Sequence, residues 1–333
     1  MNKTELIRAF NGVDDEIIER CEKAAAHKVI PLRRRIVMAV AAVLVIVVLT
    51  GAAAVVSHWD NIQTWFAYEF EIRNNQELSE GHKALIEHLS QEIGISKTSN
   101  DVTITVDSAV VTEGSFKIML VAEGIKNTVD YELNVDGMVL TINGENTNIS
   151  ASGNFVGENT FVIILTGDIR DLETNAENVD VSLRMKGFLK YHLDYYRTNT
   201  EILEGEWYFE FSMKCVDSKT KVIKNVGAIA YDEQTGELTN ITLDKVELTN
   251  MYLYFEYDAG EEWRYSVDTF GKDYYGVYAV LEGGQEVTMQ SGHGSPLGDE
   301  SDTRICEIFY WRIPINLDEV VEIHIGDTVI PVK

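Results

Sequence analysis

The chain has 333 residues, 54 of them acidic and 28 Lys or Arg, for a formal net charge of −26 and a sequence pI near 4.6. That balance disfavours nucleic-acid binding by the chain as a whole, because a polyanion repels phosphate. An apolar share of 45%, aromatics at 10% and only four prolines exclude a disordered or collagenous chain, and the length suits about two domains.

Residues 1–35 hold eight basic and six acidic side chains, a net of +2, which leaves −28 for residues 57–333. Thr4 caps a short helix that Asn11-Gly12 ends, and Asp14 caps a second one running to about Ala26. The spacing places Leu6, Ile7 and Phe10 on one face and Ile17, Ile18 and Cys21 on another, with Val13 between the helices. Two such helices bury too little apolar area to fold alone, and one Cys with one His cannot make a structural zinc site. A protein partner is therefore expected at these seven residues; an amphipathic helix on an anionic membrane is disfavoured by Asp14, Asp15, Glu16, Glu19 and Glu22.

Residues 36–56, IVMAVAAVLVIVVLTGAAAVV, are free of charge, Asn, Gln and Pro over 21 positions, which predicts a transmembrane helix. Ala52–Ala54 would also suit a cleaved signal peptide, but the 35 preceding residues are too many and too mixed in charge for a short basic n-region. Arg33, Arg34 and Arg35 lie before the span and the first Lys or Arg after it is Arg73, so the N-terminus is expected in the cytoplasm and the C-terminal bulk outside. Trp59 suits the membrane-water boundary.

Residues 57–99 read as a helical stalk, with Ser79 a cap and Gly94 a stop. From about residue 101 the period changes to two, in VTITVDSAV, FKIMLVA, MVLTIN, FVIILT and VDVSLRM, and resumes after residue 200 in seven further runs. The expected fold is mainly β: two extracellular β-sandwich-like domains, 100–199 and 200–333, behind the stalk, the span and a cytoplasmic helical head.

Little in the β region points to chemistry. Ser291-Gly-His-Gly-Ser-Pro reads as a hairpin loop rather than a triad, and the acidic stretch 298–302 lacks the spaced oxygens of a calcium loop. No phosphate-binding, nucleophile-elbow, zincin or dinucleotide motif occurs, so neither catalytic residue, metal nor cofactor is expected. Cys215 and Cys306 would lie together in an oxidising compartment and are a candidate disulfide.

Taken together, NKTELIRAFNGVDDEIIERCEKAA, the RRR before the apolar run, WDNIQTWFAYEF, TITVDSAVVTEGSFKI and the tail INLDEVVEIHIGDTVIPV resemble Gram-positive single-pass anti-sigma-type proteins, negative effectors of extracytoplasmic-function sigma factors, whose extracellular β-domain is of unknown function. The resemblance implies that the head sequesters a sigma factor while the ectodomain receives an envelope signal through an unidentified ligand. The HxxxCxxC of zinc anti-sigma proteins is absent, so their redox mechanism does not carry over. The alternative expectation is a membrane-anchored envelope binding module or adhesin with no regulatory head.

Overall fold

A computed structural model describes residues 62–127, 131–170, 177–192, 200–232, 234–260, 265–266, 276–298 and 302–333. Two helices come first, α1 (Ile62–Asn74) and α2 (Glu80–Leu89). Ser79 caps α2 as expected, its Oγ accepting from the His82 amide at 3.1 Å. Helix α1 buries Ile62, Trp65, Phe66 and Phe70 in the core.

Among the described residues, no helix is long and apolar enough to cross a membrane. The described residues are mainly β with two short helices and give no sign of the expected single-pass span. The head at 1–35 and the span at 36–56 lie outside the described residues.

The stalk also ends earlier than expected. At Ser90 the backbone turns extended, and β1 (Ser90–Ser99) pairs antiparallel with β2 (Val102–Val111). Gly94, with φ +68°, sits at the register shift between Glu92 and Ile95, so it makes a bulge in a strand instead of stopping a helix. Next come β3 (Ser115–Glu123), β4 (Tyr131–Asp136), β5 (Val139–Ile142), β6 (Glu145–Asn146), β7 (Ile149–Phe155), β8 (Thr160–Asp168), β9 (Asn178–His192) and β10 (Thr200–Lys214). They form a sandwich: one sheet in the order β1-β2-β3-β8-β7 faces a second, β10-β9-β5-β6, with β4 also on β9. Ile104, Phe116, Ile118, Leu120, Ile163, Leu165, Leu183, Phe188, Trp207 and Phe209 fill the space between them.

Strand β10 pairs with β9 along its length and sends Trp207, Phe209 and Met213 into this core. The break between the β bodies therefore falls after Lys214, not near residue 200. Val216 donates its amide to the Val111 carbonyl at 2.9 Å, pinning the connection against β2.

The second body holds β11 (Thr220–Asp232), β12 (Glu237–Thr249), β13 (Tyr252–Asp258), β14 (Tyr265–Ser266), β15 (Val277–Leu281), β16 (Glu286–Pro296), β17 (Arg304–Trp311), β18 (Val320–Ile325) and β19 (Thr328–Pro331). It is one nine-stranded sheet, β14-β11-β12-β13-β17-β16-β15-β18-β19, rather than a second sandwich. The sheet curls until its ends meet, where the Ile229 amide donates to Thr328 Oγ1 at 2.8 Å. The stretch 291–296 is part of β16 rather than a loop. Gly292 leaves room there for the Phe309 ring, which a Cβ would meet at 2.3 Å.

Both faces of β3 and β8 are covered. Their inner residues belong to the sandwich core, whereas Met119, Val121, Val162 and Ile164 join one cluster with α1, α2 and the curled sheet, including Phe66, Leu253, Phe255 and Trp311. This double burial explains why FKIMLVA and FVIILT are nearly continuous apolar runs.

Candidate functional site: a polar seam between the two β bodies

The outer face of the first sheet is apolar at one end and polar at the other. Ser115, Lys117, Thr166, Asp168 and Ser152 occupy the polar end, on β3, β8 and β7. Lys117 is fully buried and is the one cation of β3. Its Nζ donates to Thr166 Oγ1 at 3.1 Å and, across the seam, to Gln290 Oε1 at 2.6 Å. The Gln290 amide nitrogen then donates to Ser152 Oγ at 2.7 Å. Gln290 reaches the seam because β16 carries an extra residue there, the register shifting between Met289 and Ser291; such a bulge re-aims a side chain.

Burial pulls the Lys117 amine down to about 7; Arg312 pushes it the same way and Glu69 opposes. Glu69, on α1, is itself engaged, by Arg312 Nη1 at 3.3 Å and Arg73 Nε at 3.8 Å. Helix α1 is thus tied to the second body through Arg312 and to the first through its Ile62 amide, which donates to Ser108 Oγ at 2.9 Å. Ser108 faces the helix because β2 also has a bulge, between Val106 and Ser108.

Beside this cluster lies an aromatic clasp. Asp168 Oδ1 accepts from the Arg170 amide at 2.8 Å, and Asp168 Oδ2 accepts from Nε at 2.9 Å and Nη2 at 2.6 Å. The guanidinium so fixed lies 4.5 Å from the ring centre of Tyr254 and 5.6 Å from that of Tyr252. On the second body Tyr252 donates to Glu247 Oε1 at 2.8 Å, and Lys245 pairs with Glu247 at 2.7 Å. Burial pushes the phenols of Tyr252 and Tyr310 well above their ordinary range, so neither ionises near neutrality. The arrangement holds two bodies together through neutral and paired polar groups.

Two other polar sites are superficial. An open groove of about 470 Å³ on the first body is lined by Thr141, Gly144, Asp180, Ser182, Glu210 and Ser212. On the second body Tyr278 stacks on His324 with ring centres 4.3 Å apart, and His324 Nε2 meets Glu322 Oε1 at 2.8 Å. Among the described residues, no group of three or more His, Cys, Asp or Glu is placed to hold a metal ion.

The expected partner-binding residues Leu6, Ile7, Phe10, Val13, Ile17, Ile18 and Cys21, and the orienting residues Arg33, Arg34, Arg35 and Trp59, lie outside the described residues. Cys215 and Cys306 are both free thiols, so the candidate disulfide is not formed. They pack against different cores, Cys215 on the sandwich and Cys306 on the curled sheet, where its thiol meets Ser295 Oγ at 3.3 Å. Sequence reasoning missed the seam entirely; its one signal was a Lys within an apolar strand.

Residues 32–121 match a family described as "Domain of unknown function (DUF4179)", about a quarter of the chain. No curated protein matches. The chain is similar to a solved structure described as the crystal structure of the conserved domain protein from Bacillus anthracis, at 17% identity and a TM-score of 0.45, covering 77% of this chain and 82% of that one.

Proposed function

We propose that the chain is a non-enzymatic regulator in which residues 1–35 sequester a sigma factor and the paired β bodies receive the signal that releases it. One observation carries this reading. Helix α1, the element the chain enters after its N-terminal segment, is held by both bodies at once, by Ser108 of the first and Arg312 of the second. A ligand that shifts one body against the other acts directly on α1, which gives a mechanical route toward the N-terminal segment.

The test is co-purification of a sigma factor with the full chain, and output from that factor's promoter. Phe10→Asp and Ile17→Asp should each abolish capture and raise promoter output. If no sigma factor is captured, or both variants leave output unchanged, the reading falls. A second reading, a binding module without a regulatory segment, is favoured by the open groove beside Asp180 and Glu210. In that case deleting residues 2–30 would leave function intact.

A further inference from the structure

The geometry points to the Lys117 cluster as a pH-sensitive latch: the seam between the two β bodies closes on the neutral amine and loosens when the amine takes up a proton. This goes beyond the sigma-factor reading and does not depend on it.

Hydrogen-bond stoichiometry is the first argument. A neutral amine has two N–H donors, and Lys117 Nζ donates to two acceptors, Thr166 Oγ1 and Gln290 Oε1. An ammonium carries a third N–H, and among the described residues no third acceptor meets the fully buried Lys117 Nζ.

Among the described residues, the carboxylates around the site are already engaged by other cations, and Glu69 only partly offsets the amine's burial. From α1 comes Glu69, already shared by Arg312 and Arg73. Arg312, just beyond β17, adds a like charge. The end of β8 contributes Asp168, closed on Arg170, and β12 contributes Glu247, closed on Lys245. Strands β7 and β16 offer only the neutral Ser152 and Gln290, while β13 and β17 offer the phenols of Tyr252, Tyr254 and Tyr310.

The position makes the charge matter. Of the two acceptors, Gln290 belongs to the other body, and it is aimed by a bulge for which the sheet gives up regular pairing. A proton at Nζ therefore acts at the joint between the bodies and leaves the ladder inside either sheet alone.

The sign follows from the direction of the shift. The folded amine titrates near 7 and the unfolded one near its ordinary 10.5. Between those values the unfolded chain binds the additional proton, so stability rises with pH across that window. Below about 7 both states are protonated, and the latch stays charged.

Denaturant unfolding of the full chain from pH 6 to 9.5, with X-ray scattering of the native protein at pH 6 and 9, tests the latch. The wild-type unfolding constant should fall by up to about tenfold per pH unit above 7, relative to Lys117→Met. The wild-type radius of gyration should be larger at pH 6 than at pH 9. Lys117→Met should show neither trend, and Gln290→Glu, which supplies a carboxylate across the seam, should keep the radius small at pH 6. Should Lys117→Met not fold, the ¹³C resonance of the wild-type Lys117 ε-carbon reads the proton directly. A midpoint near 7 supports the latch, and one near 10.5 overturns it. Equal pH trends in wild type and Lys117→Met overturn it as well.

Discussion

Arg170 of the first β body lies over the ring of Tyr254 of the second, with 4.5 Å between guanidinium carbon and ring centre. Asp168 holds the guanidinium by a two-point contact, so the cation arrives at the ring already oriented. Arg170→Met should destabilise the chain by about 1–3 kcal/mol, combining a cation–π contact with a bidentate pair at a partly buried site. Arg170→Lys should recover only part of that loss, because an ammonium keeps the charge without the fork. Denaturant midpoints for the two variants check this; equal stability of Arg170→Lys and wild type would show that geometry is immaterial there.

Gly114 lies against Tyr252, another contact between the bodies. A Cβ at Gly114 would come within 2.6 Å of Tyr252 Cε1 and 2.7 Å of its hydroxyl. Gly114→Ala should therefore cost about 1–3 kcal/mol through forced displacement of a buried ring. Gly227→Ala is the matched control, since a Cβ there meets nothing within 4 Å, and its thermal midpoint should not fall.

His82 makes the chain sensitive to acid. Its Nε2 donates to the Pro314 carbonyl at 2.7 Å, which leaves Nδ1 as the unprotonated nitrogen, 3.7 Å from Glu319 and too far for a hydrogen bond. Burial holds the imidazole below its ordinary value of 6.5, outweighing Pro314 and Glu319. The unfolded chain thus takes up a proton first as pH falls below 6.5, and stability drops by up to about 1.4 kcal/mol per pH unit until the folded imidazole also titrates. His82→Gln should reduce the slope of unfolding free energy against pH below 6.5, and an unchanged slope would locate the acid sensitivity elsewhere.

The cysteines give a direct chemical test. Chain unfolded in denaturant without reductant should take up one alkyl group at Cys215 and one at Cys306, as peptide mass spectrometry would show. Recovery of a peptide pair joined through these two residues would refute the free-thiol state.

What was legible in the sequence was periodicity. The alternation in WYFEFSMK and VDVSLRM follows from one buried face, and the continuous run in FVIILT from two. Ser79 announced its helix because a hydroxyl before an amphipathic segment has one common use. Strand β7, ISASGNF, escaped notice because an edge strand of small polar residues lacks alternation, and its Gly153 is there to fit beneath Phe161. The break near residue 200 was misplaced because Thr198-Asn199-Thr200 reads as a boundary in the sequence whether the strands on either side belong to one body or two. The seam was unreadable for a different reason. Gln290 meets Lys117 across 173 residues through a bulge, and nothing local marks either residue as a partner of the other.

The sheet wedged between two cores has a consequence for biogenesis. A ribosome that has delivered only the first 219 residues has supplied everything needed for the sandwich, yet Met119, Val121, Val162 and Ile164 still lack the partners that arrive with the last third of the chain. Until that last third arrives, the half-made product keeps this apolar wall uncovered. A nonsense codon in this interval should yield clumped, chaperone-dependent material rather than a tidy smaller protein.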